Sequence, residues 1–129
     1  MKTAKVLFEL LNNFDEDRRV EAKSASAVGK SMMETVCAFS NEPGLRGGYL
    51  LLGAKRVGMS DDGKPIYEPE NIENSDKIQS DFVAMCNSMF NIHIRPIIQV
   101  EEYQGKTVVV VKIEELPVSL KPAYFAKRG

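Results

Sequence analysis

The chain of 129 residues has no tryptophan, one histidine (His93) and two cysteines, Cys37 and Cys86. Each scarcity narrows the chemistry open to it. Two thiols are too few for a disulfide framework, and both fall inside apolar helical patterns, so they read as buried thiols of a cytoplasmic protein. They share no metal-ligand spacing with His93, and a lone histidine beside Arg95-Pro96 reads as structural. No bound metal and no cofactor are expected. No apolar run approaches the roughly 20 residues that a membrane-spanning helix needs, and the first residues have no apolar signal segment. A dominant charge is missing too: 17 Lys and Arg against 18 Asp and Glu leave a formal net charge of −1. A polyanionic partner would therefore have to be met by a local patch and not by a global field.

What is present is a globular composition, 43% hydrophobic and 27% charged, in a length that suits one compact domain. Val6, Leu7, Leu10, Leu11 and Phe14 recur at the spacing of one helix face over 3–14, with Thr3 as cap. Arg18 to Lys23 alternates as a half-buried strand. Val28, Met32, Val36 and Phe39 predict a helix over 27–40, stopped by Pro43-Gly44. Gly48–Ala54 is a near-continuous apolar strand of the sheet interior. Residues 57–71 read as loop, with a turn at Asp61-Asp62-Gly63-Lys64-Pro65. Ile78, Phe82, Met85 and Met89 mark a third helix from Ser75. Strands over 97–103 and 107–113 flank a hairpin turn at Gln104-Gly105-Lys106, and an extended Pro117–Pro122 segment follows. The expected fold is α+β: a two-layer sandwich in which a mixed sheet is packed by about three helices.

The stretch Val20-Glu-Ala-Lys-Ser-Ala-Ser-Ala-Val-Gly-Lys-Ser31 ends like a phosphate-binding P-loop. The likeness fails in detail. Ser24 stands where the loop's first glycine must supply backbone angles that other residues resist, and the preceding strand is half polar. The apolar strands later in the chain run into Lys55-Arg56 and Lys112, not into a magnesium-binding acid. What survives is a helix start, with Ser24 or Ser26 as cap, whose outward amides lie near Lys23 and Lys30 and could hold a phosphate.

Three motifs recur in order: Val20-Glu21-Ala22-Lys23, Ala38-Phe39-Ser40-Asn41 and Gly47-Gly48-Tyr49-Leu50-Leu51-Leu52-Gly53. They are followed by the strand Gly105–Ile113, then Pro117 and Lys121-Pro-Ala-Tyr124. Over 16–128 this pattern resembles the Schlafen/AlbA_2 domain family. The resemblance implies a nucleic-acid-binding module, with DNA as the expected partner, at the start of a bacterial transcriptional regulator or helicase-related protein. On that reading the chain is one domain, 1–129, forming the N-terminal part of a longer protein. Three departures stand out. Ala22 replaces the family's Phe, Glu42–Arg46 is inserted before the glycine pair, and Lys55 and Arg56 replace aspartates.

The candidate phosphate contacts are Lys23, Lys30, Arg46, Lys55 and Arg56, taken to converge on one face. Acids at Glu42, Asp61, Asp62 and in the 68–76 stretch oppose them. A second reading is a metal-dependent ribonuclease. Glu16 and Glu21 match the first two carboxylates of the Schlafen nucleases, but the third corner is basic and would repel a divalent ion. A third reading is a protein-interaction or homodimerisation module, with the apolar Val108–Val111 strand pairing between chains.

Overall fold

The computed structural model describes residues 1–13, 19–24 and 28–126. In order, the elements are α1 (Ala4–Asn13), β1 (Val20–Lys23), α2 (Lys30–Asn41), β2 (Gly48–Leu52), β3 (Ala54–Met59), β4 (Pro65–Pro69), α3 (Ser75–Ser88), β5 (Ile97–Tyr103) and β6 (Lys106–Ile113), with a 3-10 turn at Val118–Leu120. The main sheet runs β1-β2-β6-β5. β1 is parallel to β2, and the other pairings are antiparallel, so the sheet is mixed as expected. The α+β class with three helices against that sheet is the observed one.

Side-chain alternation along β2 and β6 divides the core in two. Leu50, Leu52, Val109, Val111 and Ile113 face α2 and α3, where they meet Val36, Phe39 and Phe82. Tyr49, Leu51, Val108 and Val110 face the other way and meet Leu7 and Phe8 of α1. Both inner strands are thus apolar on both faces, and every residue of β2 is buried. The helices divide between the two faces, which adds a layer to the sandwich. The Val108–Val111 stretch, expected to pair between chains, lies between β2 and β5 and has no free ladder edge.

Residues 57–71, expected as loop, instead form most of a second, two-stranded sheet, β3 with β4. Only Ala54 of β3 is buried, so no apolar alternation marks the strand in the sequence. The apolar run Gly48–Ala54 likewise divides: β2 ends at Leu52, Gly53 bends the chain at φ +91, and Ala54 opens β3. The turn at 60–64 closes as expected, with Ser60 N donating to Lys64 O at 2.7 Å.

The helix starts show how termini are satisfied. Thr3 Oγ1 accepts from Val6 N at 3.3 Å, and Glu101 Oε1 of β5 accepts from Ala4 N at 3.1 Å, a carboxylate at the positive end of α1. The residue before α2, Gly29, stands at the N-cap position and gives the helix no side-chain cap. Ser24 bonds Glu70 Oε1 at 2.8 Å instead, and Ser26 lies outside the described residues.

Asparagine amides hold the outlying segments. An amide presents one donor and one acceptor side by side, as a strand's backbone does. Asn41 Nδ2 donates to Ala123 O and its Oδ1 accepts from Ala123 N, both at 2.8 Å. Asn12 grips Tyr67 in the same way, donating to its O at 3.0 Å and accepting from its N at 2.7 Å. Asn91 Oδ1 accepts from Tyr124 N at 2.8 Å. Asn41→Asp would remove the donor and set a carboxylate against the Ala123 carbonyl. We expect about 1–3 kcal/mol of destabilisation in urea unfolding, more than Asn87→Asp on the exposed side of α3.

Cys37 and Cys86 are both free thiols. Burial pushes Cys86 from 9.0 up to about 12 and raises Cys37 less far, Asn41 partly offsetting it. The native state therefore holds Cys86 neutral while an unfolded chain ionises it from about 9. Stability should be intact below pH 9 and fall as pH rises toward 12. Alkylation at pH 8, followed by mass spectrometry, should mark half-buried Cys37 first and leave Cys86 unmodified until denaturant is added.

Candidate nucleic-acid interface

The five basic residues picked from the sequence stand at three places. Lys23 closes β1, where its Nζ lies 3.4 Å from Glu21 Oε1 and donates to Ser31 Oγ at 2.9 Å. Glu21 Oε2 accepts from Thr35 Oγ1 at 2.7 Å. These contacts brace β1 against α2, and they leave Lys23 largely neutralised by its own neighbour. Lys30, the first residue of α2, places its Nζ 5.9 Å from the centre of the Phe125 ring, and that ring is stacked on Phe90 at 5.0 Å.

Lys55 and Arg56 are exposed on β3. As consecutive strand residues they project to opposite sides of the ribbon. Lys55 is the register partner of Glu68. The hairpin holds Lys55, Arg56 and Lys64 against Asp61, Asp62 and Glu68, so its charges cancel. Lys64 Nζ itself lies 3.6 Å from Asp62.

Arg46 is elsewhere. Lys23 pairs with Leu52 at one end of β2, and Arg46 precedes Gly48 at the other. Four strand steps at about 3.3 Å put these ends roughly 13 Å apart. Arg46 therefore stands at the opposite end of β2 from Lys23.

At the Arg46 end the fold gathers residues that no sequence motif links. A cavity of about 200 Å³ is lined by Lys2, Arg19, Arg46 and Lys112 together with Tyr49, and no acid lines it among the described residues. Each arrives by a different route. Lys2 leads into α1, and its N donates to Tyr49 Oη at 2.9 Å. Arg19 O accepts from Tyr49 N at 2.6 Å, which seats the start of β1 beside β2. Lys112 is the register partner of Tyr49 across β6, with its Nζ 5.9 Å from the ring centre. Leu45 and Arg46 come from the inserted Glu42–Arg46 segment. Arg46 sits at φ +60, and its N donates to Glu115 Oε1 at 3.0 Å. Lys121 Nζ bonds the other oxygen of Glu115 at 2.7 Å. The Lys121 hydrogen bond, with the Arg46 amide next, holds the Glu115 carboxyl below its usual range, so Glu115 stays charged and anchors the loop.

Sequence reasoning missed Lys2, Arg19, Lys112 and Tyr49. The one available signal was Lys112, a cation set between Val111 and Ile113 in the apolar part of β6. Of the two candidate carboxylates, Glu16 lies outside the described residues and Glu21 is engaged in the β1–α2 brace. Among the described residues no group of three or more His, Cys, Asp or Glu is placed to hold a metal ion. If Glu21 is a brace, Glu21→Gln should lower the unfolding midpoint. RNA incubated with magnesium or manganese should meanwhile stay equally intact with either protein. Wild-type cleavage that vanishes in the variant would reverse this assignment.

Fold and site together define an α+β domain with a basic cavity at one end of its mixed sheet. The Schlafen, AlbA_2 family model matches residues 16–128, and the chain belongs to that family. It is similar to the N-terminal domain, solved in solution, of a Nitrosomonas europaea protein named for its relation to the ATP-dependent DNA helicase RecG. Identity is 47%, coverage 100% of this chain and 84% of that one, and the TM-score 0.89. The DIP2311 protein of Corynebacterium diphtheriae shares the fold at 13% identity and TM-score 0.51, over 94% of this chain and 25% of that one. No curated protein matches. No helix among the described residues is long and apolar enough to cross a membrane.

Proposed function

We propose that this domain binds nucleic acid, with DNA as its partner, on behalf of a bacterial transcriptional regulator or helicase-related protein. The observation that carries the reading is the cavity at the Gly47–Gly48 end. Among the described residues four basic ones and no acid line it, in a chain whose formal net charge is −1. Cations gathered against the overall balance of charge favour an anionic partner there. The family membership and the relative named for a DNA helicase agree with this reading.

Of the residues chosen from the sequence, Arg46 keeps the strongest claim to a phosphate contact. Lys30, Lys55 and Arg56 act as secondary contacts, and Lys23 acts through the β1–α2 brace. Phosphate contacts carry little sequence information, so binding should be weakly specific and salt-sensitive.

The test is fluorescence anisotropy with duplex DNA at several salt concentrations. Arg46→Ala/Lys112→Ala should flatten the log–log salt slope by about 1.8, at about 0.9 per lost phosphate contact. Lys55→Ala/Arg56→Ala should flatten it less, because Glu68 already opposes Lys55. Equal slopes for wild type and the Arg46/Lys112 variant would remove the cavity from the interface.

A homodimer is the second reading. β5 forms an open edge of the main sheet, with Ile97 and Val100 exposed on it. Gel filtration across a concentration series decides between monomer and dimer.

A further inference from the structure

We infer that the open edge of β5 and the uncharged groove between β5 and α3 form the interface of a symmetric homodimer, in which two β5 strands pair antiparallel about Gln99. The inference rests on the homodimer reading above and gives that dimer its surface and its register.

The first argument is the edge. β5, Ile97–Tyr103, ends the main sheet, and its ladder with β6 runs unbroken from Ile97 to Tyr103. A long, regular edge strand presents a row of unpaired amides and carbonyls. Proteins that keep such an edge single interrupt it with lysine, proline or a bulge. β5 has none of these within its span. Of its two acids, Glu101 reaches α1, where Oε1 accepts from Ala4 N at 3.1 Å, and Glu102 is exposed. Ile97 and Val100 are exposed beside them.

The second argument is the groove. Ile98 and Val100 lie on the α2–α3 side of the sheet, since their register partners Val111 and Val109 belong to that core. Next to them an open groove of about 550 Å³ is lined by Ser80, Val83, Ala84 and Asn87 of α3 with Pro96 and Ile98. Among the described residues no charged side chain lines it, and the charges of α3, Asp76, Lys77 and Asp81, stand outside it. Val83 is exposed on its wall. The solvent side of a surface helix is ordinarily polar and charged. An uncharged, partly apolar side beside an unpaired strand suits burial against protein, and its lack of cations does not suit a phosphate backbone.

The third argument is self-complementarity, which selects a second copy as the occupant. In an antiparallel pair of identical strands, residues directly opposite share a face, so the choice of central residue fixes every pair. Centring on Glu101 or Glu102 sets an acid against itself, which is destabilising. Centring on Val100 sets Glu102 against Ile98, inside the apolar strip. Centring on Gln99 sets Ile98 of each copy against Val100 of the other and the two Gln99 amides against each other on the axis. Ile97 then faces Glu101, whose carboxylate is held by α1, and Glu102 falls opposite Pro96, outside the paired stretch. No acid faces an acid, and the two Ile98–Val100 pairs carry the apolar strip across the axis from one groove to the other. β1, with Lys23, lies at the far edge of the sheet and stays clear of the contact.

The test is analytical ultracentrifugation of the full chain across a concentration series. The wild type should show a monomer–dimer equilibrium. Val100→Lys and Val83→Glu should each weaken it at least tenfold, because each buries an unpaired charge at the contact. Both side chains are exposed in the single chain, so each variant should keep the wild-type circular dichroism. Register is read by mild oxidation in a Cys37→Ser background, in which Cys86 is buried. Gln99→Cys should give a covalent dimer. Glu102→Cys should not, since six strand steps at about 3.3 Å part the two copies of that position by roughly 20 Å, far beyond disulfide reach. A chain that stays monomeric at every concentration overturns both the inference and the homodimer reading. A dimer that neither variant weakens overturns the inference alone, because another surface then holds it. A dimer cross-linked through Glu102→Cys and not through Gln99→Cys overturns the register.

Discussion

Two glycines allow β2 to enter the sheet where it does. Gly47 sits at φ +83, and a Cβ there would lie 1.9 Å from Ile113 O. A Cβ on Gly48 would lie 2.8 Å from three atoms of the Phe39 ring. Real side chains do not reach such distances, so any residue but glycine would push β2 away from the end of β6 or lift α2 off the sheet. That close approach sets the register Gly48–Ile113 and hence every cross-strand partner that follows. Tyr49 then falls opposite Lys112 and beside Arg19, so the basic cavity is a by-product of how tightly the strand is seated.

The same constraint explains why the family motifs were readable. Phe39 and Gly47-Gly48 lie in separate motifs but form one contact. Asn41 closes the second motif and grips Ala123 in the last. Residues with a spatial partner of this kind leave a recognisable pattern, and so do the uninterrupted apolar runs of β2 and β6. The β3–β4 ribbon has neither property. Its side chains are mostly solvated, its register shifts between Arg56 and Gly58, and its glycine and prolines read as loop. Exposure, and not weakness of the strand itself, hid it.

The candidate site was less legible than the fold for a related reason. Lys2, Arg19, Arg46 and Lys112 are separated by long stretches of chain and meet only through three-dimensional packing. The segment with the most suggestive spelling, Gly29-Lys30-Ser31, opens a helix whose neighbouring lysine is already paired with Glu21. Counting basic residues along the sequence could not separate cations that face an acid across a strand pair, as in the ribbon, from cations that the fold gathers at one cavity. Burial pattern and strand register make that distinction.

The grip of Asn12 on Tyr67 has a consequence for how the molecule opens. α1 rests on the smaller of the two cores and is stapled to β4 by both hydrogen bonds of that amide, while Phe8 stacks on Tyr103 at 4.7 Å. Helix and ribbon should therefore detach as one subglobal unit, their amides exchanging with solvent together and ahead of those in β2 and β6. Lys2 precedes α1 and holds the Tyr49 hydroxyl, so this opening would also dismantle one wall of the cavity. Occupancy of the cavity and closure of the unit are then thermodynamically linked, and a bound anion would slow hydrogen exchange across α1 without touching it.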